Sequence, residues 1–128
     1  MSFYIAKTIA ASFDEAIART RSALAAEGFG ILTEIDVAAT LKAKIGEDFR
    51  PYRILGACNP KLAHRALQAE DHIGVMLPCS VVVQQRSAGS CEIAAIDPNK
   101  AIGSVGVPAL TPLAAEVAEK LGRAVAAI

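Results

Sequence analysis

Apolar and polar residues along this chain follow two different periods, and together the periods predict nine secondary-structure elements. Apolar residues three or four positions apart predict helices, and alternation at every second position predicts half-buried strands. The elements follow the order β-α-β-α-β-α-β-β-α. The predicted strands are 3–10, 29–34, a third beginning at Pro51, 73–86 and 91–97. This order suits an α+β fold with an antiparallel or mixed sheet covered by helices on one face.

Capping residues predict where the helices begin. Ser12 and Glu15 have the spacing of a capping box, and Asp36 can cap a second helix. Asn59 and Pro60 start a third helix, because Asn is a strong cap and proline is favoured at the first helical position. The last helix begins at Thr111 and carries an apolar stripe at helical spacing: Leu113, Val117, Leu121, Ala124 and Ile128.

Glycine and proline predict where the elements end. Gly28 and Gly46 close the first two helices. Pro78 cannot donate to a sheet ladder, so we expect an edge or a bulge within the strand predicted for residues 73–86. Residues 87–90 form a hairpin turn into the last strand. Residues 101–108 are predicted to be irregular, and within them residues 103–107 are predicted to form a mobile loop or a flap over a pocket.

Length and composition restrict the class of protein. A chain of 128 residues, 53% of them hydrophobic, predicts one domain spanning 1–128 with a core of its own. Basic and acidic residues balance at 13 each. Zero net charge argues against a nucleic-acid surface and is compatible with a homodimer. Without a signal peptide or a membrane-length apolar run, we expect a cytoplasmic protein that has no membrane partner.

The three cysteines are the strongest candidates for chemistry. Cys58 directly precedes the Asn59 helix start, where the helix dipole and the nearby Lys61 would favour a thiolate. Cys79 follows Pro78 in a strand expected in the middle of the sheet, so the irregularity could direct its sulfur into a pocket. Each is either a reactive or ligand-holding thiol or a small buried packing residue. Cys91 is expected to be ordinary strand packing.

If Cys58 and Cys79 face each other, they could form a reversible disulfide or share a metal or sulfur atom, which requires close alpha carbons. The two imidazoles, His64 and His72, complete no zinc-binding pattern with the cysteines, and a structural or solvent-facing role is favoured for each. The segment 103–107 is not a phosphate loop. The common hydrolase and metalloprotease motifs are also missing from the chain.

Two segments of the sequence resemble the domain-of-unknown-function 302 family. They are Gly56-Ala57-Cys58-Asn59-Pro60 and Ile73-Gly74-Val75-Met76-Leu77-Pro78-Cys79, and Asp97-Pro98 follows as a later match. The resemblance covers nearly the whole chain. Ser80 departs from the Asn expected after the second segment, and Ile102 replaces a Met often found after the Asp-Pro pair.

The resemblance implies a small domain similar to the TATA-box-binding-protein-like fold, β-α-β4-α in outline with extra helical pieces, often as a homodimer. It implies no activity. Some members of the family occur among sulfur-metabolism proteins, which keeps a thiol role in view. The similarity of that fold to a DNA-binding protein is analogy only.

Three functional hypotheses follow from these residues. The first is a dimeric small-ligand or cofactor-binding module, for haem or a metal, with its pocket near Cys58, Asn59, His64, Pro78 and Cys79. The second is a thiol-based redox or sulfur-transfer protein that uses Cys79 or Cys58. The third is a structural or interaction domain. The first is favoured, because a nucleophile usually has an identifiable base and neither histidine is well placed to be one.

Overall fold

A five-stranded antiparallel sheet organises the chain. The computed structural model describes residues 2–128, and the strands lie side by side in the order β1-β5-β4-β3-β2. The strands are β1 (Tyr4–Ala10), β2 (Gly30–Asp36), β3 (Tyr52–Cys58), β4 (Cys79–Ser87) and β5 (Ser90–Ile96). The helices are α1 (Phe13–Ala26), α2 (Val37–Ile45), α3 (Pro60–Ala69), α4 (Pro98–Ala101) and α5 (Thr111–Ala127). The predicted α+β class is confirmed, and the sheet is the antiparallel alternative of the two.

Most helix boundaries lie where the capping residues predict them. The Ser12 hydroxyl accepts from the Glu15 amide, and the Asp36 carboxylate accepts from the Ala39 amide. After α1 and α2 the chain passes through Gly28 and Gly46, whose φ angles are +86° and +70°. Only glycine adopts that left-handed conformation without steric cost, which is why these helices stop there.

Two apolar clusters make up the core. In the larger cluster, α1 and α5 cover one face of the sheet, and the strands contribute alternate residues to it. The inward residues of the two central strands are Cys79, Val81, Val83, Cys91, Ile93 and Ala95. The smaller cluster lies beside the sheet and joins α3, the segment before β4, and the first turns of α5. Val117 packs against both clusters, so it marks their junction.

The prediction of one strand over residues 73–86 is wrong for the residues before Cys79. Residues Asp71–Met76 form a 3₁₀ helix, and β4 begins only at Cys79. The Glu70 carboxylate accepts from the His72 amide at 2.9 Å and starts the 3₁₀ helix. Ile73 is buried in the smaller cluster, whereas Val75 is 85% exposed. The apolar run therefore covers the side of α3, and the sheet ladder starts after Pro78, which has no amide hydrogen to donate.

The segment predicted to be irregular, residues 101–108, contains short helical structure. The α4 helix is capped by the Asp97 carboxylate, which accepts from the Asn99 amide. Two 3₁₀ turns follow, Gly103–Val105 and Pro108–Leu110. We call residues 102–110 the cover segment, because Ile102 and Leu110 are buried against the smaller cluster.

A glycine allows three segments to meet at the end of β3. Gly56 pairs with Thr33 of β2 on one side and with Ser80 of β4 on the other. A Cβ atom added to Gly56 would lie 2.1 Å from Thr33 Oγ1 and 2.7 Å from Pro78 Cγ. Both distances are far below van der Waals contact, so any larger residue at this position requires Thr33 and Pro78 to shift. The glycine in the first motif and the proline in the second thus pack directly on each other.

We expect Gly56→Ala to lower the free energy of unfolding by about 1–3 kcal/mol, the usual cost of overpacking a close contact. Urea denaturation followed by circular dichroism measures the change. Gly30→Ala is the matched control, because a Cβ atom there meets nothing within 4 Å. Equal stability changes in the two variants would contradict the role given to the Gly56 contact.

Candidate functional site

A small cavity lies at the junction of the two core clusters. Its volume is about 30 Å³, which is room for one or two water molecules. The lining residues come from the ends of β3 and β4, from α3, from α5 and from the cover segment: Phe29, Ala57, Cys58, Asn59, Leu62, Ala63, Ala66, Leu77, Pro78, Cys79, Ile102, Leu110, Leu113 and Val117. Apart from two thiols and the Asn59 amide, every lining side chain is apolar.

The structure brings together four of the five residues predicted to line a pocket. Cys58, Asn59, Pro78 and Cys79 all line the cavity. The pairing of β3 with β4 explains this, since Ala57 lies directly opposite Cys79 in the ladder. Strand alternation alone would put Cys58 and Cys79 on opposite faces of the sheet. Because β3 ends at Cys58, where the chain turns into α3, both thiols reach the same cavity.

His64 does not belong to this group. It lies on the exposed side of α3, and its ring is not among the cavity-lining groups. His72 is also exposed, and its Nδ1 lies 2.9 Å from a Glu70 carboxylate oxygen and 3.0 Å from an Asp71 carboxylate oxygen. Hydrogen bonds from His72 lower the pKa of Glu70. Neither histidine is placed to take a proton from Cys58 or Cys79.

Asn59 has two hydrogen-bonding roles beside the cavity. Its side-chain oxygen accepts from the Leu62 amide at 3.4 Å and so caps α3. Its side-chain nitrogen donates to the Glu27 carbonyl, also at 3.4 Å. That nitrogen would lie 3.1 Å from a Cβ atom placed on Gly28, so α1 ends in close contact with the start of α3. Asn59 therefore joins the end of α1 to the start of α3 at the wall of the cavity.

Burial controls the ionisation of the two thiols. Desolvation raises the pKa of Cys58, although its position before a helix predicts the opposite direction. Desolvation, with a smaller contribution from the negative charge of Cys58, raises the pKa of Cys79 to about 11 from 9.0. The neutral thiol of Cys79 therefore stabilises the fold below pH 9, and this contribution is lost as the pH rises toward 11. The expected thiolate at Cys58 is not supported.

Sequence reasoning missed most of the apolar lining of the cavity. Leu62 and Ala66 project from α3 at helical spacing, and that stripe identifies them as buried but not as part of a cavity. Ile102 and Leu110 come from the cover segment, for which no periodic pattern exists. In the family that the sequence resembles, a Met is often found at the position of Ile102. This difference is the one sequence signal that could have identified Ile102 as a residue of the cavity.

The sheet face opposite α1 and α5 carries a groove along β1, β5, β4 and β3, and we call it the open sheet face. The groove has a volume of about 380 Å³ and is lined by Phe3, Tyr4, Tyr52, Ser80, Val82, Gln84, Arg86, Glu92, Ala94 and Ile96. In its middle, Gln84 accepts from Arg50 and donates to Glu92, which also accepts from Arg86. Aromatic and aliphatic side chains surround this polar network.

The fold and site define a class of protein: a small α+β protein with a dithiol cavity beside an antiparallel sheet. The model of the family described as domain of unknown function DUF302 matches residues 5–128, and the chain belongs to this family. A comparison with curated proteins finds no match. In the part of the chain that is described, no helix has the length and apolar character needed to cross a membrane.

A solved structure shows the same fold. The chain is similar to an uncharacterized conserved DUF302 protein from Bacillus stearothermophilus, known from a crystal structure. The two are 31% identical, the similarity covers 98% of each chain, and the TM-score is 0.90. The resemblance carried by the two sequence motifs is therefore confirmed at the level of family and fold.

We expect the three cysteines to react with iodoacetamide at very different rates. Cys58 is partly exposed and should react first, whereas Cys79 is 7% exposed and should react much more slowly. Because the pKa of Cys79 is about 11, its alkylation rate should still rise about tenfold between pH 9 and pH 10. Peptide mapping by mass spectrometry measures each site. A Cys79 rate that levels off below pH 9 would contradict the burial effect.

Proposed function

We propose that this chain is a small-ligand or metal-binding module whose site is the cavity between Cys58 and Cys79. The observation that supports the proposal most directly is that two free thiols line one small, mostly apolar cavity at the junction of two core clusters. Well-packed cores contain few voids that hold a water molecule. A void that lies beside two free thiols is therefore a candidate ligand site.

The volume of the cavity restricts the ligand. About 30 Å³ is far too small for a haem, so of the two cofactor types a metal ion suits the closed cavity better. A larger ligand would need the cover segment to move. That segment is held over the cavity mainly by the burial of Ile102 and Leu110.

A thiol-based redox or sulfur-transfer function is the second candidate. The observation in its favour is the unequal exposure of the pair, since Cys58 is partly exposed and Cys79 is buried. Such a pair could use an outer thiol to attack and an inner thiol to resolve. The raised pKa of each thiol and the distance of both imidazoles from the cavity make this candidate weaker.

The open sheet face supports a homodimer. Phe3 is 70% exposed, Tyr4 44% and Ile35 47%, and exposed apolar patches mark interaction sites. The occupant we propose is a second copy of this chain. Arg86 and Glu92 lie side by side on this face, so two copies related by a twofold axis can pair opposite charges. The balanced net charge of the chain adds no repulsion between the copies. An interaction role without any ligand would use the same face.

Three further proposals concern the domain organisation, the cellular compartment and the partners of the protein. We propose that residues 1–128 act as one domain in the cytoplasm, without a nucleic-acid or membrane partner. The balance of 13 basic and 13 acidic residues supports the absence of a nucleic-acid surface. The three free cysteines suit a reducing compartment.

Filling the cavity should abolish ligand retention. We expect Ala63→Phe to reduce the bound small-molecule or metal mass at least tenfold, because Ala63 lines the cavity and a phenyl ring exceeds its volume. Native mass spectrometry of protein isolated from expressing cells, compared with the denatured mass, gives the bound mass. Ala69→Phe, at the exposed end of α3, is the control. An Ala63→Phe variant that retains the wild-type bound mass would exclude this cavity as the site.

Charge placed on the open sheet face should separate the dimer. We expect Ala94→Arg to shift the protein from dimer to monomer, because Ala94 lines the groove at the middle of this face. Analytical ultracentrifugation over a range of concentrations measures the shift. Ala126→Arg, at an exposed position of α5, should leave the mass unchanged. A wild-type chain that is monomeric at every concentration would remove the dimer proposal.

A further inference from the structure

We propose that Cys58 and Cys79 bind one copper(I) ion as a two-thiolate pair within the cavity. The inference rests on the proposed ligand-binding function of the same cavity and specifies the ligand as a soft monovalent metal ion. It is carried by the ligand set, by the unsatisfied thiol of Cys79 and by the size of the cavity.

The ligand set consists of soft sulfur atoms. No imidazole or carboxylate of the described residues lines the cavity, and the Asn59 amide is already used to cap α3 and to hold Glu27. Structural zinc takes four ligands, and calcium and magnesium require six or more oxygen ligands. Thiolates favour soft ions such as copper(I), and also zinc, but two thiolates are too few for a structural zinc site. Copper(I) is also the ion for which two thiolates complete a linear coordination shell.

The buried thiol of Cys79 lacks a hydrogen-bond acceptor. Over residues 2–128, the buried Cys91 Sγ donates to the Ala11 carbonyl at 3.5 Å, whereas Cys79 Sγ makes no such bond. Cys79 is only 7% exposed, so water does not replace the missing partner from outside the fold. A bound ion would satisfy this sulfur and the Cys58 sulfur together. Cys79, which lines the cavity, thus differs from Cys91, which serves as packing.

The cavity suits a single ion. Its volume of about 30 Å³ holds an ion but not an organic ligand. The pairing of Ala57 with Cys79 places Cys58 one residue away from the residue opposite Cys79. The negative charge of Cys58 also contributes to the raised pKa of Cys79. Because Cys58 and Cys79 both line this space, an ion in it would lie beside both residues.

The binding step balances without any redox change. One copper(I) ion and two neutral thiols give one bis-thiolate complex with a charge of −1 and release two protons. The complex lies beside Cys58, which directly precedes α3, and the N-terminus of a helix stabilises negative charge. Because both thiols are protonated near neutral pH, the two released protons make copper affinity strongly dependent on pH.

Anaerobic titration with copper(I) tests the proposal. The full-length protein competes for copper(I) with the coloured chelator bathocuproine disulfonate, and elemental analysis after desalting gives the stoichiometry. We expect one ion per wild-type chain and at least a hundredfold loss of affinity in Cys58→Ser and in Cys79→Ala. Cys91→Ala should match the wild type. Between pH 6 and pH 8 the wild-type affinity should rise about a hundredfold per pH unit, because two protons are released.

Several results would overturn the proposal. They are a wild-type chain that takes up no copper(I), a Cys58→Ser variant that binds as tightly as the wild type, and a pH dependence that corresponds to one proton or none. Tight zinc binding by the same pair would contradict the assignment to a soft monovalent ion. Circular dichroism checks that each variant is folded. If Cys79→Ala does not fold, the Cys58→Ser variant decides the result, because Cys58 is partly exposed.

The two proposals can fail separately. A wild-type chain that binds no copper(I), but carries a bound mass lost in Ala63→Phe, disproves the copper site and leaves the ligand-binding function in place. Absence of both copper(I) binding and a cavity-dependent bound mass would remove the ligand-binding function as well.

Discussion

The contact between Gly56, Thr33 and Pro78 is the constraint on which the site depends. It lets β2 and the segment before β4 approach β3 at the strand end where the cavity forms. A side chain on Gly56 would meet Pro78, which directly precedes Cys79. Cys58 lies two residues after Gly56, so the contact is within two residues of both thiols. This contact gives a physical reason why the two motifs occur together in one sequence.

The division of the core into two clusters produces the cavity. The larger cluster fills the space between the sheet and two long helices, and the smaller one fills the space under α3 and the cover segment. The cavity lies where they meet, because its lining residues come from both clusters. Helices and strands supply most of its walls, and the cover segment contributes the buried Ile102 and Leu110.

Burial decides the chemistry open to the two cysteines. A thiol before a helix start is favoured to ionise, but the apolar walls around Cys58 and Cys79 favour the neutral form more strongly. A neutral thiol is a weak nucleophile and remains a good metal ligand, because the metal displaces its proton. The surroundings of the pair thus agree better with binding than with catalysis. The proposed surface for self-association is the open sheet face, whereas the cavity lies at one end of the strands.

The sequence alone determined the order of the elements, the α+β class, the helix caps at Ser12, Asp36 and Asn59, and the two motifs that carry the thiols. Local signals suffice for these, because capping, turns and periodicity act between residues close in the chain. Only the tertiary structure decided that residues 71–76 leave the sheet, that His64 lies away from the thiols, and that the cover segment closes the cavity. A short apolar run is compatible with a strand and with a buried 3₁₀ helix, so periodicity does not distinguish the two. Packing against α3 decides that residues 71–76 form the 3₁₀ helix. The same burial reverses the pKa direction expected for Cys58, because desolvation depends on every group packed around the thiol rather than on its neighbours in sequence.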